Sequence, residues 1–498
     1  MSIHWPIIRN LARHAGREMV VDDKRSYKGI EILVAAFHVA SEIEKRCESE
    51  TVGLLLPTSG ATPIAALASW MLGKTVVPLN YLLKPEELRA VIEDCGTDTV
   101  VTVQPMLEFV GERPDVPHVI RLEDIDFKSV PELRWPATAR DEDLAVLLYT
   151  SGTSGLPKGV MLSHGNLKAN IAQCIEHAKI DDHEVFLGVL PQFHSFGITV
   201  LTLTPLTIGA KAVYAARFVP TKILQLFKQH HPTIFVAIPS MYNALLAMKS
   251  GDAEDFSSLR LTISGGEPLP HATFVGFQER FGKTINEGYG LTETAPVTNL
   301  CCPIETREHS VGRALPRIVQ RIRDLETGRE LPPGEEGEIT MQGPNIMQGY
   351  FRKPSETDAV LSPEGEFRTG DIGRLDADGF LYITGRLKEM IIVGGENVFP
   401  REIEEVLNTH PDVQASAVVG QKDPVRGELP VAFVEATEGA SFDEDTLRGF
   451  CRDRLAGYKV PRWVRQVAEL PRNPTGKIMR RELATMADAD AVPARAGD

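Results

Sequence analysis

Cysteine is scarce in this chain: Cys47, Cys95, Cys174, Cys301, Cys302 and Cys451 are scattered, and no two form a C-x-x-C pair. That excludes a disulfide framework and a thioredoxin-like dithiol, and it fits a reducing compartment. The adjacent Cys301 and Cys302 read as two small packed side chains rather than a redox pair. Basic residues are outnumbered, 53 Lys and Arg against 68 Asp and Glu, for a net charge of −15. A surface of that sign repels phosphodiester backbones and anionic lipid, so nucleic acid and stable membrane insertion are not expected. No apolar run approaches the ~20 residues of a membrane span. The opening residues, Met1-Ser2-Ile3-His4-Trp5-Pro6, lack the charged-then-apolar pattern of a secretory leader, and a soluble cytoplasmic protein is the expectation. A Walker phosphate loop is missing too. Gly73-Lys74-Thr75 and Gly282-Lys283-Thr284 end in the right triplet, but Ala68 and Phe277 stand where the leading glycine belongs.

What remains is a 498-residue chain, 43% hydrophobic and 24% charged, too long for one hydrophobic core. Short continuous apolar runs alternate with helix-like segments. Val52-Gly53-Leu54-Leu55-Leu56 leads into an Ala-rich stretch over 61–72. Thr75-Val76-Val77-Pro78-Leu79 precedes a helical pattern over 84–94, and Thr99-Val100-Val101-Thr102-Val103 follows. The alternation returns around 210–214, 233–238 and 261–264, which predicts an α/β fold with parallel sheets. From about residue 305, short alternating segments separated by Pro-Gly and Asp-Gly turns predict a small β-rich, barrel-like subdomain. A mixed stretch to about residue 485 predicts a small α+β domain. The Ala- and Asp-rich residues 486–498 read as a disordered tail.

One segment carries clear chemistry. Tyr149-Thr150-Ser151-Gly152-Thr153-Ser154-Gly155-Leu156-Pro157-Lys158-Gly159 follows the apolar run 144–148 and gathers four hydroxyls, three glycines and a lysine. Glycines let backbone N–H groups crowd an anion, hydroxyls donate to phosphate oxygens, and the lysine supplies positive charge.

That segment resembles the signature loop of the adenylate-forming superfamily, which includes acyl- and aryl-CoA synthetases, and further resemblances follow in order along nearly the whole chain. Glu287-Gly288-Tyr289-Gly290-Leu291-Thr292-Glu293-Thr294 is similar to the family's second nucleotide motif. The resemblance gives Tyr289 the adenine face, Thr292 the α-phosphate and Glu293 the Mg²⁺, with Thr153 as a second metal contact. Ser264-Gly265-Gly266-Glu267-Pro268-Leu269 resembles the loop edging the adenine, although Glu267 stands where many relatives have alanine. Asp371, in Phe367-Arg368-Thr369-Gly370-Asp371, takes the ribose hydroxyls, and Arg386 adds a cation beside the ribose or phosphate. Lys388 occupies the hinge position, and Gly394-Gly395-Glu396-Asn397-Val398-Phe399-Pro400 resembles the loop lining the thiol-delivery tunnel. Lys477, in Asn473-Pro474-Thr475-Gly476-Lys477-Ile478, takes the place of the catalytic lysine of adenylation.

The resemblance implies domains at 1–386 and 389–485, with a hinge at 387–388 and a mobile second domain. It implies ATP, Mg²⁺ and coenzyme A, and a carboxylic acid activated as acyl-AMP. Leu190-Pro191-Gln192-Phe193-His194-Ser195-Phe196-Gly197 lies beside the acyl pocket in the family pattern, with His194 orienting the carboxylate or gating the cavity. Residues 193–205 and 343–350 look most like long-chain acyl synthetases, which favours a medium- or long-chain fatty acid. Ile392 replaces a lysine found in some aryl-CoA ligases. A ligase loading a separate acyl carrier protein, an aryl-acid ligase and a non-catalytic nucleotide-binding relative remain as alternatives.

Overall fold

The continuous apolar runs become parallel strands buried on both faces, which is why they do not alternate. Thr51–Leu55, Thr75–Pro78 and Thr99–Thr102 are buried at every position. The computed structural model describes residues 2–150, 157–302, 305–437, 439–440, 442–472 and 478–489. Within these, the chain divides into two units. Met1–Gly266, Phe277–Gln320 and Met341–Phe367 form the first, and Glu267–Gly276, Arg321–Thr340 and Arg368–Asp498 the second. The architecture is mixed α/β, with parallel sheets in the large first unit.

Among the described residues, the first unit holds a seven-stranded and a nine-stranded sheet. The seven-stranded sheet runs Gly349–Tyr350, Lys158–Ser163, Leu144–Thr150, Thr75–Pro78, Thr51–Leu55, Thr99–Thr102, His118–Arg121. The expected Ala-rich helix is Ala61–Met71, apolar on every side because almost all of it is buried. Its Trp70 indole donates to the Ala145 carbonyl at 2.9 Å, which ties helix to sheet. In the nine-stranded sheet, Val185–Gly188 pairs in parallel with Lys211–Tyr214 on one side and Ile234–Ala237 on the other. Beyond Ile234–Ala237 come Leu261–Ser264 and Ile285–Gly290, also parallel. Phe227, Phe235, Tyr242, Phe256, Phe277 and Phe281 pack ring against ring with centroids 4.4–5.9 Å apart. Such tilted and edge-on aromatic contacts stabilise a core beyond their buried area.

A buried histidine pair, His4 and His164, is expected to make the first unit acid-sensitive. His4 donates from Nε2 to the Ala137 carbonyl at 3.0 Å, and the Ile3 N–H donates to His164 Nδ1 at 3.3 Å. Burial pushes both imidazoles down, each to about 4, and His4 depresses His164 further. In the unfolded chain these rings protonate near 6.5, but in the fold only near 4. Their stabilisation is therefore whole above pH 6.5 and is lost as the pH falls towards about 4, by up to ~3 kcal/mol per ring. Urea midpoints measured between pH 7 and 4.5 are expected to fall, and to fall less steeply in His4→Asn. An unchanged slope in that variant would exclude the pair as the source.

The second unit carries a four-stranded sheet, Val319–Arg323, Gly337–Gln342, Phe367–Leu375 and Leu381–Arg386, where a barrel-like subdomain is expected from the sequence. Residues 368–386 group by contacts with the C-terminal part in this unit. Its second sheet centres on the antiparallel pair Val413–Asp423 and Gly427–Ala436. Side chains alternate across that pair as strand geometry demands. Val418, Ala432 and Val434 meet Ile403 and Leu407 on one face; Ala417, Val419, Val431 and Phe433 meet Leu470, Leu483 and Ala487 on the other. Helix Arg480–Ala489 buries Leu483 and Ala487, so residues 486–489 are helical and Ala487 among them is packed. The tail expected from residue 486 is corrected to that extent: a composition rich in Ala and Asp hides an amphipathic turn whose Ala487 needs little space.

Candidate active site

The hydroxyl-rich loop is held at its base by a hairpin. Leu144–Thr150 and Lys158–Ser163 pair antiparallel, with Tyr149 opposite Gly159 and Thr150 opposite Lys158. The Tyr149 hydroxyl donates to Asp94 Oδ2 at 2.5 Å and anchors the outgoing strand to helix Pro85–Cys95. Ser151, Gly152, Thr153 and Ser154 lie outside the described residues. Lys158 forms an ion pair with Glu356, and its ammonium stands 5.2 Å from the centre of the Tyr350 ring.

The second motif sits at the carboxyl end of strand Ile285–Gly290, where the chain turns through Thr292–Thr294 and returns as Val297–Leu300. Thr294 locks that turn: its Oγ1 accepts from the Leu291 N–H at 3.0 Å, and the Asn345 amide donates to its carbonyl at 2.8 Å. The Tyr289 carbonyl accepts from the Thr298 hydroxyl at 3.1 Å. Gly288 lies opposite Leu300, and Glu287 stands in register with Ser264 on the neighbouring strand. The turn presents Thr292 and Glu293 side by side. Thr292 Oγ1 is 3.4 Å from Ser195 Oγ, and Glu293 Oε1 accepts from the Tyr350 hydroxyl at 2.9 Å.

Strand winding explains why these segments converge. The order of the nine-stranded sheet reverses direction at Val185–Gly188, and in open α/β sheets such a switch point leaves a crevice beyond the carboxyl ends of the strands. Three segments begin there: residues 189–195 after Val185–Gly188, Ile238 after Ile234–Ala237, and Gly265-Gly266 after Leu261–Ser264. His194 is half-buried, its ring 4.6 Å from that of Phe193, which in turn meets Tyr81 edge-on at 4.7 Å. Gly266 adopts a φ of +87°, a conformation that favours glycine, and Glu267 and Pro268 follow it at the start of the second unit. Residues 196–203 are a buried π-helix, Phe196–Leu203, in which the Thr202 hydroxyl donates to Gly197 O at 3.0 Å.

In the second unit, Asp371 and Arg386 face each other across strands Phe367–Leu375 and Leu381–Arg386, with Nε 2.7 Å from Oδ1. Asp371 is buried. Lys388 lies in the single turn Leu387–Glu389 that follows. Gly394 and Gly395, at φ of 60° and 95°, form the two-residue turn joining Ile391–Val393 to Glu396–Val398, so the expected tunnel loop is a tight hairpin. Lys477 lies outside the described residues, but its flanks are pinned. Arg472 bridges Ile478, and Arg480 pairs with Glu389 at 3.2 Å and with both oxygens of Glu404.

Residues 8–351 match the family AMP-binding enzyme, and residues 402–477 match the AMP-binding enzyme C-terminal domain. The chain belongs to the AMP-binding enzymes. It is an AMP-forming acid–thiol ligase, and three relatives show the range of this AMP-binding enzyme's kin. A long-chain-fatty-acid–CoA ligase of Bacillus subtilis (strain 168) is 40% identical over 90% of this chain and 87% of its own. A feruloyl-CoA synthase of an Amycolatopsis species is 33% identical over 87% and 88%. The structure of an o-succinylbenzoate CoA synthetase from Bacillus subtilis, solved with its acyl-adenylate intermediate, superposes with a TM-score of 0.85 at 28% identity, over 99% of both chains.

Some of the AMP-binding enzyme's contacts escape sequence reading. Tyr350 on Glu293, Glu356 on Lys158, Ser195 beside Thr292 and Asp94 on Tyr149 all join residues 55 to 198 positions apart. Tyr350 falls in a recognisable motif, but nothing in its spacing names Glu293 as its partner.

Proposed function

We propose that this enzyme activates a medium- or long-chain fatty acid with ATP as acyl-AMP, then transfers the acyl group to coenzyme A in the cytoplasm. The observation that carries the reading is the turn Thr292–Thr294, which sets a hydroxyl and a carboxylate side by side at the end of a strand beside the switch-point crevice. The fatty acid is supported by the long-chain ligase among the relatives and by the apolar run Phe196–Leu203 following His194. Six free cysteines support a reducing compartment.

In this reading Tyr289 stacks on adenine, Asp371 and Arg386 hold the ribose, and Thr292 donates to the α-phosphate. Gly266, Glu267 and Pro268 edge the base, and the loop from Thr150 to Lys158 cradles the phosphates. Lys477 meets the carboxylate oxygen and the α-phosphate as charge accumulates between them. Glu293 suits Mg²⁺: it is a hard oxygen donor, its Oε1 is fixed by Tyr350, and it has no ion-pair partner among the described residues. With Thr153 it would hold the ion, which supplies positive charge against the departing pyrophosphate. Lys388 then serves as hinge, and the Gly394-Gly395 turn lines the approach of the thiol, whose main requirement is positioning because the anhydride is already reactive.

The test is acid-dependent ATP–pyrophosphate exchange with acids from octanoate to palmitate and with ferulate and benzoate, followed by addition of coenzyme A or an acyl carrier protein. Exchange with the fatty acids and thioester formation with coenzyme A are expected. Exchange with aromatic acids alone, or thioester with the carrier protein alone, would overturn the corresponding half of the proposal.

A further inference from the structure

Tyr350 has no role in the chemistry above, yet it is the residue most closely tied to Glu293. It is only 9% exposed and sits on the short strand Gly349–Tyr350, in register with Val160, two residues beyond Lys158. Its own N–H donates to Thr357 Oγ1 at 2.9 Å, which fixes the backbone. The Lys158 ammonium over its face fixes the ring. Its hydroxyl then donates to Glu293 Oε1, while the Met347 N–H donates to the Glu293 carbonyl at 2.8 Å. Segment 347–350 thus grips residue 293 by main chain and side chain together. A phenol has one proton to give, and a carboxylate acceptor makes the bond charge-assisted and directional.

We propose that Tyr350 is the positioning residue for Glu293, holding its carboxylate in one orientation before the metal–nucleotide complex arrives. The inference rests on reading Glu293 as the metal-binding carboxylate. Tyr350 acts through Glu293 and not on substrate, since its single proton is committed to Oε1. The neighbouring Lys158 is part of the same arrangement: its charge, paired with Glu356, sits where it orients the ring without competing for the hydroxyl.

The test uses Tyr350→Phe, which keeps the ring and its packing and removes only the hydroxyl. Mn²⁺ binding is titrated by electron paramagnetic resonance on the full-length enzyme with α,β-methylene-ATP. Loss of an outer contact to a metal ligand typically costs 10- to 100-fold in metal affinity, so Tyr350→Phe is expected to weaken Mn²⁺ about 10-fold. The thermal midpoint and metal-free nucleotide binding stay at parental values. Glu293→Gln weakens Mn²⁺ further, and adding Tyr350→Phe to it produces no additional loss, because the hydroxyl acts only through that carboxylate. Parental Mn²⁺ affinity in Tyr350→Phe, with Glu293→Gln impaired, would reduce Tyr350 to packing and overturn the inference alone. Parental affinity in Glu293→Gln would overturn the metal assignment and the inference with it.

Discussion

Lys477→Ala is expected to lower acid-dependent ATP–pyrophosphate exchange by about 10²- to 10³-fold, the usual cost of removing a preorganised charge from a polyanionic transition state. Thioester formation from presynthesised acyl-AMP is expected to persist within a few fold, because that step no longer brings a carboxylate against a phosphate. The thermal midpoint is expected to hold as well. The flanks of the loop are secured independently, by the Arg472–Ile478 bridge, by the Met479 N–H donating to Pro471 O at 2.7 Å, and by Arg480 on Glu404 and Glu389. The discriminating quantity is the ratio of the two half-reactions. If both fall together, or if exchange stays within tenfold of the parent, Lys477 is not the adenylation lysine.

Gly290→Ala should be the most damaging single methyl group in the nucleotide motif. A Cβ there would stand 1.9 Å from the Pro296 carbonyl oxygen, 2.8 Å from its carbon and 3.0 Å from Val297 Cα. All three are backbone atoms, so no side chain can swing aside. The return strand must move, and the turn bearing Thr292 and Glu293 moves with it. Overpacking of this kind costs roughly 1–3 kcal/mol, and misplacing a reacting group by an ångström costs about 100-fold in rate. Gly449→Ala is the matched control: it lies within helix Glu444–Arg452, nothing stands within 4 Å of its Cβ, and alanine there is expected to stabilise by about 0.5–1 kcal/mol. Melting curves and kcat/KM for both variants decide the matter. A Gly290→Ala enzyme that melts and turns over like the parent would show the strand pair far more pliant than its spacing implies.

These expectations depend on features of unequal visibility in the sequence. Strands such as Thr51–Leu55 and Ile234–Ala237 were legible because burial on both faces leaves an uninterrupted apolar run, and Ala61–Met71 because a helix buried all round tolerates alanine. The π-helix Phe196–Leu203 was not: half its residues are β-branched and most are apolar, a composition shared with strands, and wide winding leaves no periodic signature. The grouping of residues 321–340 with the C-terminal part also escaped, because sheet pairing between distant segments has no local trace. In the site, motif residues such as Glu293 and Asp371 were nameable, but their partners were not. The Arg386 pairing follows from a strand register, and the Tyr350 contact bridges 57 positions, neither of which composition encodes.

The hairpin under the hydroxyl loop also bears on how this chain can change length. Side chains along a strand alternate faces, so inserting or deleting one residue within Lys158–Ser163 would turn Lys158 away from Tyr350 and Glu356. The same slip would unseat Val160 from Tyr350 and Met161 from Gly349, and so disturb a strand nearly 200 positions downstream. Length variation among descendants of this sequence should therefore be displaced to surface turns distant from this hairpin. Within the paired strands, it should come only as substitution.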